Sequence, residues 1–296
     1  MAKALISAVL VLLLVPAPAF AWGAAAHRYI TRRAIDLLPP EIKPFFVHYR
    51  DELVLRSNDP DEWRVAGFDE EPPNHQIDFG VDDYGPYPFT ALPREYGAAI
   101  EKFGTATLKR HGLLPWRTTE EYGSLRRTME SFKRDQLFAN SNTVLFAAAL
   151  AHYLQDAHQP FHTSNNFDGQ LTRQNGVHAR FETALFERFE SRMTINPAPP
   201  VPVSNARDFI FEVVLASYRL VPQILQADAE AIAGKDAYDN DYFEKFFTKV
   251  QPLLQKQLAG AITATASAIV GAWDQAGKPA LKTEMPSAIQ KVRPPK

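Results

Sequence analysis

At 296 residues the chain is long enough for one large domain or two small ones, and its 46% apolar content is ample for a core. Lys and Arg (32) nearly balance Asp and Glu (34), so a net charge of −2 gives no overall field to draw nucleic acid or anionic lipid. The complete lack of cysteine excludes disulfides, thiolate metal ligands and a cysteine nucleophile.

The first residues carry an address. Lys3 supplies a positive start, residues 4–15 an apolar stretch too short to span a bilayer, and Ala19-Phe20-Ala21 a small-residue cleavage site. This pattern predicts a signal peptide over 1–21, Trp22 as the mature N-terminus and a secreted or periplasmic destination. No later segment is long and apolar enough to cross a membrane.

After Trp22-Gly23, apolar positions at Ile30, Ala34, Ile35 and Leu38 predict a helix over 28–38, stopped by Pro39-Pro40. His27 alone reads as a surface or capping residue. Cleavage before Trp22 changes that, because it sets a free α-amine, with a pKa of about 8, a few residues from an imidazole. Such an amine can lose its proton to a metal at neutral pH.

A second short helix is expected over 41–55, then a turn-rich acidic stretch, 57–64, holding Asp59 and Asp61. Residues 70–78 bring His75 among carboxylates, by themselves a solvated loop. Pro and aromatic residues over 84–93 make an irregular connection. Helices are expected over 95–111, ended by Gly112, and over 119–140.

The informative stretch runs from 143 to 182. Residues 143–159 are Ala- and Leu-rich without Gly, a good helix former that neighbours can approach closely. Pro160 disfavours helical geometry at Gln159 and ends it. His152 and Asp156 lie four apart on one face, and an Asp in an apolar helix costs several kcal/mol unless it is paired, hydrogen-bonded or metal-bound. His162 follows the break. A polar loop then leads to a second pair at the same spacing, His178 and Glu182. One such pair is most simply a satisfied hydrogen bond. Two pairs joined by His-Gln-Pro-x-His reverse that judgement, and imidazole with carboxylate, without thiol, points to zinc or a similar borderline ion.

Residues 183–193 prolong the second helix. The four prolines of 196–202 make a crossover rather than a domain boundary. Long amphipathic helices are expected over 208–233 and 242–273, the latter broken near Pro252, and the tail, 278–296, is expected to be disordered. No stretch alternates like a strand and no repeat is visible, so the sequence predicts an all-α single domain, 22–277, of roughly eight helices.

Taken together, the Trp-Gly terminus with a nearby His, an Asp and a His in the next hundred residues, then His-xxx-Asp, His-Gln-Pro-x-His and His-xxx-Glu, resemble the zinc-dependent phospholipase C / S1–P1 nuclease superfamily. The likeness runs from Trp22 to about Glu182. It implies a multi-helix fold around three zinc ions. Asp61, His75, His152 and Asp156 would hold one ion. Trp22 (amine and carbonyl oxygen), His27 and the bridging Asp156 would hold a second, and His162, His178 and Glu182 the third. Asp59 competes with Asp61 for its place. His158 receives no metal and is expected to hydrogen-bond behind a metal ligand or at the helix end.

The implied activity is hydrolysis of a phosphodiester, phospholipid or single-stranded nucleic acid or nucleotide, by metal-activated water, with Asp156 bridging and Asp61 orienting the water or taking its proton. A monomer without a transmembrane segment is expected. Glu182 and the short loop from His162 to His178 resemble the phospholipase branch, whereas His-Gln-Pro-x-His and the Ala-Ala-Ala spacer before His27 resemble the nuclease branch. A nuclease also needs stacking aromatics and basic residues, for which Tyr153, Phe161, Phe167, Arg173 and Arg180 are candidates. Two rivals use the same residues: a non-catalytic periplasmic zinc-binding protein, and a helical interaction module with buried His–carboxylate pairs and no metal.

Overall fold

The computed structural model describes residues 22–284. The expected signal peptide, 1–21, and the end of the tail, 285–296, lie outside the described residues. Within them the chain is all-α, and the one extended contact is an isolated parallel bridge between Phe79 and Ser164.

Helix α1 (Ala24–Asp36) turns its face of Ala26, His27, Ile30, Ala34 and Ile35 inward. The expected 41–55 helix is two, α2 (Lys43–His48) and α3 (Arg50–Arg56), because Tyr49 leaves helical geometry between them. The stretch expected to be turn-rich is mostly helical, α4 (Asp59–Val65). Pro60 is tolerated in its first turn, and Asp59, Asp61 and Glu62 suit the positive end of the helix dipole. A 3₁₀ turn (Pro72–His75) follows.

The expected 95–111 helix is likewise split, into α5 (Tyr96–Phe103) and α6 (Thr105–His111), at Gly104 with φ +75°. Helix α7 (Leu114–Ser131) begins earlier than expected, with Pro115 in its first turn. Left-handed residues Asp135 and Phe138 then deliver the chain to α8 (Ala139–Ala157).

Helix α8 is the centre of the molecule. Every residue from Ala147 to Ala157 is buried, and its small Ala side chains let α7 lie along it while α1, α3, α4, α11 and α13 pack around the rest. After a 3₁₀ turn (Pro160–Thr163), a short helical segment comprises α9 (Val177–Ala179), a π-turn (Arg180–Ala184) and α10 (Leu185–Phe189). The expected 208–233 helix breaks into α11 (Ala206–Tyr218) and α12 (Val221–Ile232), Pro222 being confined to the first turn of the latter.

By contrast α13 (Asn240–Gln275) runs 36 residues straight through Pro252, where the sequence predicts a break. Burial of Phe246, Phe247, Val250, Leu253 and Leu254 on either side of the proline outweighs the one lost hydrogen bond. The tail, expected to be disordered from 278, is pinned over its first residues. The Pro279 carbonyl accepts from the Trp273 indole, and the Thr283 carbonyl accepts from Tyr49 and Asn140.

One glycine couples the packing of α7 to the 3₁₀ turn that ends at His75. Gly112, at φ +95°, lies so close to that turn that a Cβ there would sit 2.0 Å from the Gln76 carbonyl oxygen. Gly112→Ala should therefore cost more than about 2 kcal/mol, from strain at positive φ together with displaced backbone beside His75. A thermal midpoint unchanged from wild type would show that the loop yields freely.

Candidate metal centre

Eight side chains far apart in sequence meet at the buried end of α8. His152 and Asp156 come from α8 itself, His27 from α1, Asp61 from α4 and His75 from the first 3₁₀ turn. His162 comes from the turn after α8, His178 from α9 and Glu182 from the π-turn. They form three groups whose potential ligand atoms lie within 4.8 Å of one another: His27, His152 and Asp156; Asp61, His75 and His152; His162, His178 and Glu182. All the His, Asp and Glu residues expected from the sequence are thus brought together. Asp61, not Asp59, faces the cluster, since Asp59 turns to Arg56 at 3.1 Å.

Asp156 stands between the groups. Its Oδ1 lies 3.5 Å from His27 Nε2, while its Oδ2 lies 3.0 Å from His75 Nδ1 and 3.3 Å from His152 Nε2. The two carboxylate oxygens thus face different histidines. At the other end, Glu182 Oε2 is 3.0 Å from His178 Nε2 and 3.9 Å from His162 Nε2, and it accepts a hydrogen bond from Gln159 at 2.8 Å.

The imidazoles are oriented from behind. His152 Nδ1 bonds the Ser57 carbonyl at 2.8 Å, His27 Nδ1 the Gln155 side-chain oxygen at 2.6 Å, and His162 Nδ1 the His75 carbonyl. Each bond places the proton on Nδ1 and leaves the Nε2 lone pair aimed inward, the arrangement a metal-binding histidine requires. His75 is reversed. Its Nδ1 faces the cluster and its Nε2 lies 3.4 Å from Glu71, which in turn accepts from the Tyr153 hydroxyl.

Sequence reasoning misses these backing groups. Glu71 precedes His75 by four residues, the same spacing as the other two pairs, Gln155 adjoins Asp156, and Gln159 lies three residues from both Asp156 and His162. Trp22 is placed by its indole, wholly buried, donating to the Gln155 carbonyl at 2.8 Å and packing against Phe181.

Other expectations need correction. Tyr153 and Phe161 are fully buried and Arg180 is locked in an ion pair with Asp228, so these three cannot form a stacking, basic platform. Phe167 alone of the aromatic candidates is exposed. His158 ends α8 facing away from the cluster, with its ring against Gly260 and its carbonyl accepting from Gln257 at 2.6 Å.

Burial and neighbouring charges set the protonation of these groups. Burial, aided by the neighbouring His152, lowers His27 to about 3, and burial lowers His162 to about 3 as well. Burial also opposes the charged form of His75, but hydrogen bonds to Asp156 and Glu71 prevail and raise it to about 9. For Asp156 burial is outweighed by His152 and His162, which hold the carboxyl well below its usual range. Burial raises Glu182 and Asp61.

The donor atoms pass a direct test of fit. His27 Nε2, Asp61 Oδ1, Asp156 Oδ1, His162 Nε2, His178 Nε2 and Glu182 Oε1 are buried without a hydrogen-bond partner. Each such atom costs about 1–3 kcal/mol, and all six face the three groups. Divalent cations would satisfy them together.

In metal-free protein, His75 should stay protonated to about pH 9 while His27 and His162 stay neutral down to about pH 3, as imidazole NMR titration would report. A raised pKa means that the stability supplied by His75 is full below about 6.5 and drains away as pH rises to about 9. The stability gap between metal-free wild type and His75→Gln should therefore shrink across that window. A gap that widens there would disprove the assigned partners of His75.

No protein-family model matches this chain and no curated protein matches it, so the chemistry of the centre itself must carry the functional reading.

Proposed function

We propose that the chain is an exported, zinc-dependent hydrolase of phosphate esters with a fold of the phospholipase C / S1–P1 nuclease type. The observation that carries this reading is Asp156, whose two oxygens face different histidines as a carboxylate bridging two cations would. The donor set of imidazoles and carboxylates without thiol suits zinc. Asp61, His75, His152 and Asp156 would hold one ion, His27 and Asp156 a second with the Trp22 amine and carbonyl, and His162, His178 and Glu182 the third. Zinc in such a centre supplies Lewis acidity toward phosphoryl oxygens and lowers the pKa of water from about 16 toward 7.

The protein's own part is positional. Asp156 holds two groups at a fixed separation. Asp61, whose Oδ1 makes no hydrogen bond and lies 3.3 Å from Arg64, would orient a water or accept its proton. No side-chain nucleophile is needed, in keeping with a chain that has no cysteine.

Exposure distinguishes the two sides of the centre. His178 (7%), His162 (5%), Asp61 (3%) and His75 (2%) touch solvent, whereas His27, His152, Asp156 and Glu182 are at 0%. Under this reading substrate would approach from the side of His178, His162, Asp61 and His75, since a catalytic zinc needs an open position that a purely storage site does not.

Zinc-loaded protein should hydrolyse bis(p-nitrophenyl) phosphate, and within a panel of phosphatidylcholine, single-stranded DNA, RNA and a nucleoside monophosphate at least one natural ester should turn over. Asp156→Ala should abolish this activity. Three bound zincs with no turnover on any substrate would instead make the chain a silent zinc binder, and near-normal rates in the variant would refute the bridging role.

Export is tested separately. With Trp22 as the free terminus the protein should bind three zinc ions, and with Met left in front of Trp22 it should bind two, as elemental analysis would show. An equal count in both forms would remove the terminus from the ligand set.

A further inference from the structure

Behind the segment that carries His178 and Glu182 lies a buried ion pair that the proposed chemistry does not use. Arg180 sits midway between these two residues, and Asp228 comes from α12 at 0% exposure. Arg180 Nε and Nη2 lie 3.2 Å and 3.0 Å from Asp228 Oδ1, and Nε also donates to the Tyr242 hydroxyl at 3.0 Å. Its remaining donors reach back to the carbonyls of Asn175 (2.8 Å) and Gln174 (3.2 Å), just ahead of α9. Gln174 returns a bond to Asp228 Oδ2 at 2.7 Å, and the Tyr238 ring covers the guanidinium at 3.9 Å. One planar fork thus ties the loop before His178, the π-turn, α12 and α13 together.

His178 needs such help more than its fellows. His27, His152 and His162 are each aimed by a bond at Nδ1, and His75 has Glu71 behind it. Among the described residues no hydrogen bond holds His178 Nδ1, so its direction rests on the backbone of its own turn and on Glu182, whose Oε2 lies 3.0 Å from its Nε2. That turn runs into a π-turn, a rare element whose register is easily lost to ordinary helix. Stability alone does not explain the pair, since a buried ion pair gains little over apolar residues of the same size.

We propose that Arg180 and Asp228 are positioning residues that hold His178 and Glu182 in register to share one cation with His162, an inference that rests on the proposed metal-binding role. The test is chelator competition on zinc-loaded protein. Two variants are compared with wild type: Arg180→Lys, which keeps the charge but loses the fork, and the double variant Arg180→Met with Asp228→Leu, which removes both charges and leaves neither stranded.

In both variants one zinc should be released at about 10- to 100-fold lower chelator concentration while the other two are held as in wild type. The double variant should keep its unfolding midpoint in urea, separating register from stability. Wild-type retention of all three zincs in either variant would overturn the proposal, as would equal weakening of all three. A wild type that binds no zinc would overturn the underlying metal reading first, and this proposal with it.

Discussion

A carboxylate with no exposure, set in a helix that is buried all round over its second half, governs this structure. Asp156 is surrounded by Ala, Leu and Tyr along α8, and an isolated charge in such surroundings would be neutralised or would unfold the helix. It stays ionised because His152 and His162 lie near it and His75 and His152 hydrogen-bond to it. The histidines carry a matching requirement, since an imidazole buried beside others gives up its proton unless a negative group holds it. Each set lowers the cost of burying the other, and six buried atoms among them make no hydrogen bond, so the groups could hold cations.

The helical architecture answers this requirement in a specific way. Helical turns supply pairs four residues apart on one face, α1 supplies His27, and the 3₁₀ turns between helices supply His75 and His162. The backing bonds come from what surrounds each break: the Ser57 carbonyl between α3 and α4, the His75 carbonyl in its 3₁₀ turn, and the Gln155 amide on α8. Gln155 also bonds Thr31 of α1, so the helix that brings His27 is docked through the same amide that orients it. Gly112 matters for a related reason. Only a residue without a side chain lets the start of α7 lie against the turn holding His75.

What can be read from the sequence depends on periodicity. The His152–Asp156 and His178–Glu182 pairs are legible because four residues make about one helical turn, and His162 because Pro160 has to end the helix before it. Glu71 has the same spacing to His75 but escapes notice, since Pro72-Pro73 and a run of acids look like loop whatever they pack against. Helix breaks at Tyr49 and between Tyr218 and Val221 depend on tertiary packing, as does the passage of α13 through Pro252. Burial is the least legible property of all. Tyr153, Phe161 and Arg180 look like surface recognition residues, and each is part of the scaffold behind the cluster.

The closed side of the centre is the side at which the described chain begins. Trp22 is wholly buried there, its indole bonded to the residue before Asp156, and Gly23 abuts Thr183 in the π-turn so closely that a Cβ would lie 2.7 Å from the Thr183 hydroxyl. The start of α1 is thus wedged between the two helical segments that carry the paired ligands. Under the proposed function this makes ion binding and folding one process, because the same contacts that seat the terminus bring α8 and the π-turn together. A chain with no cysteine has no disulfide to hold that junction, and cations bound across it would do the same work by joining α1, α4, α8 and the π-turn through shared ligands. Within the third group His178 is the ligand candidate whose Nδ1 has no hydrogen bond among the described residues, and the Arg180–Asp228 tie lies directly behind it.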